Sequence, residues 1–534
     1  MKSTLIYQSI LLLIIFLSAS AINASPVSLD SQDNLVYTPD SNGNIIPDFS
    51  YVGYQKSQVP IPEIETVMTI SPVAGDNTAH IQNAINQLAG MPLDENGFRG
   101  ALLLSAGSYS VSGQIIIDDS GIVLRGVGQT ENGTVIIAAG TVQRSLIVTQ
   151  GDLSISEDTS NQSRISDSYV PVGALSFDVE DASDFFVGQT VNIFRPGTST
   201  WISDIGMDQI SPRDDGREIT QWTPNSYNFR FERQITAIND NAITIDIPIV
   251  QMMEDKHGGG FVRPITVSGR INNIGIENML LISEFEEGQE AEDEDHAWIA
   301  VEFLDTEHSW ASDITARHFG YATTSVERGS RFVTVRDSTN VDPVSRITGS
   351  RRYSFEINGS TSLVLRCNSN DGRHDYVTGS RVTGPNAFVF GVAVDTHSDT
   401  GPHQRWAMGT LYDNIEAGEI NIQDRGNFGS GHGWAGAQNV LWNTQGSIRT
   451  AVQSPPGAIN WSIGHVGTRY LGRHTDRPQG EWVSEGEKVL PDSLFVKQLE
   501  ERIGVTQAAR VLRLNSPINS TLPIIINITL NDDN

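Results

Sequence analysis

The chain has one cysteine, Cys367, among 534 residues. No intrachain disulfide is possible, so an apolar core or a repeat ladder must hold the fold together. Cys367 lies in the run SLVLRCN and is expected to pack inward. Basic residues are scarce too. Lys and Arg number 35 against 64 Asp and Glu, a formal charge of −29. That balance excludes nucleic acid as the main partner, because its binders carry a basic footprint. It favours solubility, and an anionic ligand would need a local cationic patch. Long apolar runs are also missing. Leu5 to Leu17 spans only about 13 residues, against the roughly 20 of a membrane-crossing helix, and no later window is long enough. No membrane span is expected.

What is present begins with an address. Lys2, the apolar run from Leu5 and the small residues Ala19, Ala21 and Ala24 predict a signal peptide over residues 1–24. A secreted or periplasmic, soluble and monomeric protein is expected. Residues 25–65 read as a polar lead-in. In GDNTAHIQNAINQLAG, Ile81, Ala84, Ile85 and Leu88 follow helical spacing, with Asp76 or Thr78 to cap and Gly90 to stop the helix. Residues 66–150 then combine this capping helix with short β-branched runs broken by turn residues.

The segment 151–259 breaks that rhythm. Alternation from Gln234 to Ile249 around Asn239-Asp240-Asn241 predicts a hairpin, hence a small antiparallel β insertion. Over 260–480 units such as NNIGIENMLLIS, SRFVTVRDSTNV, TSLVLRCNSN and QNVLWNTQGS recur. Each pairs an apolar strand with an Asn, Asp or Gly turn, at roughly 20–30-residue spacing typical of stacked repeats. The fold class is therefore all-β, a parallel β-helix (solenoid). Residues 481–534 form a C-terminal cap segment with a short helix over 493–503 and a final strand in PIIINITL.

Arg366 to Trp434 stands out, with His374, His397, His403, His432, Arg366, Arg373, Arg381, Arg405 and Arg425 among Gly, Asn and Asp. These sit at the ends of short strands, where a rigid scaffold presents side chains to solvent. Each has a plainer reading: RHD at 373–375 as an ion-paired corner, HGW at 432–434 as loop packing, His308 and His318 as structural histidines of regular coils.

The elements GDNTAHIQNAI, ALLLSAGSYSVSGQIII and GIVLRGVG resemble the start of the pectate-lyase-like superfamily of right-handed parallel β-helices. The stretches EDHAWIAVEF, DGRHDYVTGSRVTGPN, DTGPHQRWAMGTLYDN and GSGHGWAGAQNVLWN resemble a bacterial subgroup of it. The resemblance implies a right-handed coil and a carbohydrate-active enzyme, chiefly a polysaccharide lyase or hydrolase. It assigns no residue roles, since fold alone does not fix the reaction.

β-Elimination on a uronate needs a carboxylate neutraliser, a base for the C5 proton and an acid for the departing oxygen. Arginine suits the first task and histidine the others. Lysine is absent from the stretch. The candidates are His374, His403 and Arg405 as catalytic residues, with Arg373, Asp375, Arg381, His432, Trp434, His296 and Trp298 binding the polysaccharide. A glycoside hydrolase would need two carboxylates, with Asp371, Asp375, Asp395, Asp399 and Asp424 available. A non-catalytic binder would use Trp406, Trp434 and Trp442 to stack on sugars. No cofactor is required. The acidic run Glu284 to Asp295 reads as a solvated loop and, without EF-hand spacing, only as an optional Ca2+ site. The readings rank lyase, hydrolase, binder. On the leading one, Arg405→Ala and His403→Ala each abolish activity on an acidic glycan and leave the far-UV circular dichroism unchanged.

Overall fold

The computed structural model describes residues 25–514. The leader expected over 1–24 and the expected final strand near Pro523 lie outside them. Most strands join one 29-stranded parallel sheet, the parallel β-helix anticipated from the repeats. Its logic is a register in which like residues stack. Leu124 pairs with Ile276, Ile276 with Ala311, Ala311 with Val335, Val335 with Val364 and Val364 with Phe388. Every member of this ladder is buried. Burying each of the larger side chains contributes about 1.5–3 kcal/mol, and a coil gains it only when a neighbour lies on both sides. Left-handed residues turn several of the corners, among them Asp337, Asp371, Asp395, Asn414 and Asn443. Short polar side chains tolerate that conformation best.

The first coils are closed by α1 (Thr78–Ala89), which buries Ile81, Ala84, Ile85 and Leu88. Asn77 occupies the N-cap, and the Asp76 carboxylate accepts from the backbone N–H of Thr78. Cys367 is fully buried in the coil interior, as its run predicts.

After the strand Ser145–Gln150 the chain leaves the coil. It builds a seven-stranded antiparallel sheet, then rejoins the ladder with Gly275 beside Val123. The hairpin is present as Phe229–Asn239 paired with Ala242–Ile245. The excursion also takes in Phe261–Ser268, which pairs antiparallel with Ser154–Glu157 and Thr190–Arg195. A short helix, α2 (Ser199–Asp204), starts where the Thr198 hydroxyl accepts from Trp201 N–H. Trp201, Trp222, Tyr227 and Phe229 form the insertion's core, and Trp406 and Trp434 of the coils join it.

At the C-terminus α3 (Leu494–Ile503) and α4 (Val505–Val511) lie against the side of the coil. They pack on outward residues such as Leu365, Val389, Leu411 and Trp442. The lead-in shares this cover. Gln498 bonds the Tyr37 hydroxyl and the Pro47 carbonyl, and Arg502 bonds Ser50. No helix among the described residues is long and apolar enough to cross a membrane.

Ile276 sits where the chain resumes the ladder. Ile276→Ala is expected to cost about 2–5 kcal/mol, read as a lower midpoint in chemical unfolding. An unchanged midpoint would show that the resumed register does not carry the core.

Candidate active site

A second stack of strands carries the site. It runs Ile299–Leu304, Ala322–Val326, Phe355–Ile357, Tyr376–Ser380 and Asp399–Gln404. Alternation sends Phe303, Val326 and Ile357 inward and Glu302, Ser325 and Glu356 outward, with each set in register. Above the outward face lies a cleft of about 880 Å3. The loops 348–353 and 425–432 and the insertion's Arg213 and Arg217 also line it.

One half of the cleft is acidic. The Ser325 hydroxyl lies 2.5 Å from Glu327 Oε1 and 3.2 Å from Glu356 Oε2. Sharing one hydroxyl brings an oxygen of each carboxyl group within about 6 Å of the other, close to the spacing of a retaining glycosidase pair. The Tyr321 hydroxyl donates to Glu356 Oε2 at 2.7 Å. Burial, and then the charge of Glu327, push the Glu356 pKa up to about 7. Gly379 is needed here, because a Cβ on it would fall 1.9 Å from the Asn358 side-chain oxygen. The Asn358 amide in turn faces Glu327 at 3.4 Å.

The other half is built from histidine and arginine. The rings of His374 and His403 lie 4.6 Å apart, and those of His403 and His432 5.0 Å. Arg425 Nη1 is 3.2 Å from His403 Nδ1. Guanidinium nitrogens only donate, so Nδ1 is the acceptor and the proton of neutral His403 sits on Nε2. That Nε2–H faces the Tyr353 hydroxyl oxygen at 3.1 Å. Burial and then Arg425 hold the His403 pKa well below the usual imidazole range, so it stays neutral. Burial pulls His432 down to about 3, helped by Arg425 and Arg405. His374 is lowered by burial as well. Its Nδ1–H donates to the Asp399 carbonyl at 2.6 Å. Burial pushes the Asp399 carboxyl up, but Arg425 and His374 outweigh it and hold the pKa well below the ordinary value.

The predicted candidates therefore divide. His374, His403, His432 and Arg373 converge, and Arg373 Nη1 is buried with no hydrogen-bond partner. Arg405 lies one layer outside the lining, where it donates to Ser430 Oγ at 2.6 Å. Arg381 donates to the Ser226 carbonyl and stacks over Tyr227. Both arginines hold the insertion against the coil. Asp375 is not a surface group; it is fully buried beneath Ser354, and burial raises its pKa to about 6. Trp434 is 2% exposed and donates to the Ile205 carbonyl, so it packs the insertion and cannot stack on a sugar.

Trp406, bonded to Gln251, and Trp442, bonded to the Pro491 carbonyl, are buried in the same way. Buried His296 has both ring nitrogens engaged, by Ser283 and the Val344 carbonyl. Trp298 lies behind the cleft end, parallel to Tyr321 and under Arg351. The aspartates offered for hydrolysis are engaged or apart: Asp371 with Arg352 and His397, Asp424 with Arg477. Asp395 is exposed at a left-handed corner.

Glu327 and Glu356 escaped sequence reasoning. Their signal was an acid in or just after a short strand in consecutive coils, VEF, SVER and FEI. Among the described residues, no group of three or more His, Cys, Asp or Glu side chains is placed to hold a metal ion.

No protein-family model matches the chain, and no curated protein matches it either. Solved structures do. The tailspike protein gp49 from Pseudomonas phage LKA1 is 14% identical, with 73% of this chain and 56% of that one covered at a TM-score of 0.41. The gp54 tailspike of Acinetobacter baumannii bacteriophage AP22, in complex with A. baumannii capsular saccharide, is 13% identical over 74% and 56%, with a TM-score of 0.42. An alginate lyase from Paenibacillus sp. str. FPU-7 is 9% identical over 79% and 100%, with a TM-score of 0.37. The chain thus spans 56% of the length of each of these two tailspikes.

Titration tests the acidic half. A Glu356 carboxyl followed by infrared difference spectroscopy should change near pH 7, and at lower pH in Glu327→Gln. Because the folded pKa exceeds the unfolded one, Glu356 makes stability fall as pH rises from its unfolded value towards about 7. Glu356→Gln should remove that slope. A carboxyl titrating in the ordinary range would contradict the assignment.

Proposed function

We propose that the protein cleaves glycosidic bonds in an anionic polysaccharide bound in this cleft. Arg213, Arg217, Arg328, Arg351, Arg373 and Arg425 line it; Arg213 and Arg217 pair with Asp215, Arg351 with Glu294 and Arg425 with Asp399, which leaves Arg328 and Arg373 for a ligand. In a chain of net charge −29 that is a cationic exception, and it suits a glycan carrying carboxylates or sulfates. The leader expected at the N-terminus would carry the enzyme out to such polymers.

Hydrolysis is the reaction this arrangement supports best. The observation that carries it is a carboxyl pair sharing the Ser325 hydroxyl, with the more buried member raised to about 7. Paired groups whose environments push their pKa values apart are how acid and base roles are divided. Glu356 gives its proton to the departing glycosidic oxygen. Glu327 attacks the anomeric carbon, and water later displaces it with Glu356 acting as the base. Carboxylate oxygens within about 6 Å of each other lie below the roughly 6.5–9.5 Å spacing of inverting enzymes, which favours this two-step course.

β-Elimination is the second reading, and one observation favours it. Asp399, Arg425, His403 and Tyr353 form a hydrogen-bonded chain ending at a cleft hydroxyl. In that scheme Arg373 neutralises the uronate carboxylate and a Tyr353 phenolate takes the C5 proton. The C4–O bond breaks as the double bond forms, and Tyr353 returns the proton to the leaving oxygen. His403 would stabilise the phenolate and could not itself be the base, because its Nε2 carries the proton. Burial raises the Tyr353 pKa, which opposes phenolate formation. Hydrolysis therefore ranks first.

The test is to incubate the protein with alginate, polygalacturonate, ulvan, fucoidan and glycosaminoglycans. New reducing ends without ultraviolet-absorbing unsaturated product are expected, and Glu356→Gln should lower kcat by about 10²–10⁴-fold. Unsaturated product lost in Tyr353→Phe and kept in Glu356→Gln would establish elimination instead. No cleavage of any of these polymers would refute both.

A further inference from the structure

A second pocket of about 450 Å3 lies beside the cleft, within the roughly 300–1,000 Å3 typical of ligand sites. Arg328 and Asn358 line both spaces, so the two adjoin. These residues follow Glu327 and Glu356 within two positions along the chain. The second pocket therefore begins where the carboxyl pair ends. Its floor is the repeated turn Gly329-Ser330 and Gly359-Ser360 in consecutive coils. A Cβ at Gly359 would fall 2.4 Å from the Ser330 carbonyl oxygen, so glycine lets these two turns stack closely. The roof comes from the insertion, through Asn192 and Arg230.

The chemistry of this space matches a charged sugar. Ser360, Thr383 and Asn358 offer hydroxyl and amide groups along one side. Arg328 is exposed and donates to the Ser380 carbonyl, which leaves its charge available to a ligand. Arg230 is anchored to Glu157 at 2.8 Å, and its side chain remains 47% exposed. Arg270, by contrast, is fully committed to Glu232 and Glu307. The carboxyl pair thus has ligand-sized space on both sides: the Arg373 and His432 half of the cleft, and this pocket.

We infer that the second pocket is a set of subsites for further units of the same anionic polysaccharide, and that the enzyme consequently cuts within the chain rather than at its ends. The inference rests on the cleft reading above. It assigns the insertion a role in holding substrate, since only the insertion supplies the roof.

Polygalacturonate, alginate and hyaluronate are the probes, with viscosity followed alongside reducing ends. Internal cutting predicts that viscosity collapses while few ends have formed. Arg230→Gln should raise KM for the polymer about tenfold with kcat little changed, as expected for one lost charged contact. Ser360→Trp, which fills the pocket, should shift the product sizes. Release of monomer or dimer without loss of viscosity would overturn the inference and leave the cleft reading standing. So would unchanged KM and product sizes in both variants. If the wild type cuts none of the three, calorimetry with size-fractionated oligomers decides. Affinity that grows with length and stops growing in Arg230→Gln supports the subsites, and affinity independent of length or absent overturns them.

Discussion

Stacking register is the constraint on which everything else depends. A parallel coil buries its apolar face only if each strand finds the previous one in phase, and a slip of one residue would turn every side chain over. The chain meets this demand across an excursion of more than a hundred residues, resuming with Ile276 beside Leu124. Polar residues on the outward positions inherit the same precision. Glu302, Ser325 and Glu356 stand in line because Phe303, Val326 and Ile357 are locked inward. The site is thus a by-product of core packing, and the core makes it rigid enough for chemistry.

The insertion is the second organising element. Its core reaches into the coil through Trp406 and Trp434, and Arg381 and Arg405 clamp its Tyr227 loop. Residues that looked like a sugar platform therefore fix a wall in place. With that wall seated, Arg213 and Arg217 face the cleft while Asn192 and Arg230 cover the adjoining pocket. Positive charge gathers where the insertion meets the coil, against the sign of the molecule as a whole.

How much of this was legible in the sequence follows from range. Local signals sufficed for α1, for the hairpin closing at Asn239 and for the helix beginning after Ser493, because spacing and capping are local properties. Repeat rhythm was enough for the coil. It also pointed to His374, His403 and His432 as neighbours, since they fall in successive coils. Glu327 and Glu356 were not legible. They lie 29 positions apart in sequence, and only the register joins them at Ser325. Trp434 and Asp375 misled for the opposite reason: both have polar or aromatic character suited to a ligand, and burial by distant segments removes them from it. A sequence shows which residue types are present but not which face of a coil another part of the chain will cover.

The central claim is that Glu356 and Glu327 act as a closely spaced acid and nucleophile. Proton NMR of the anomeric signals during the first minutes of polymer cleavage tests it most directly. The account predicts a new reducing end with the configuration of the bond that was cut. A first product of inverted configuration, or one carrying a vinylic C4 proton, would contradict it.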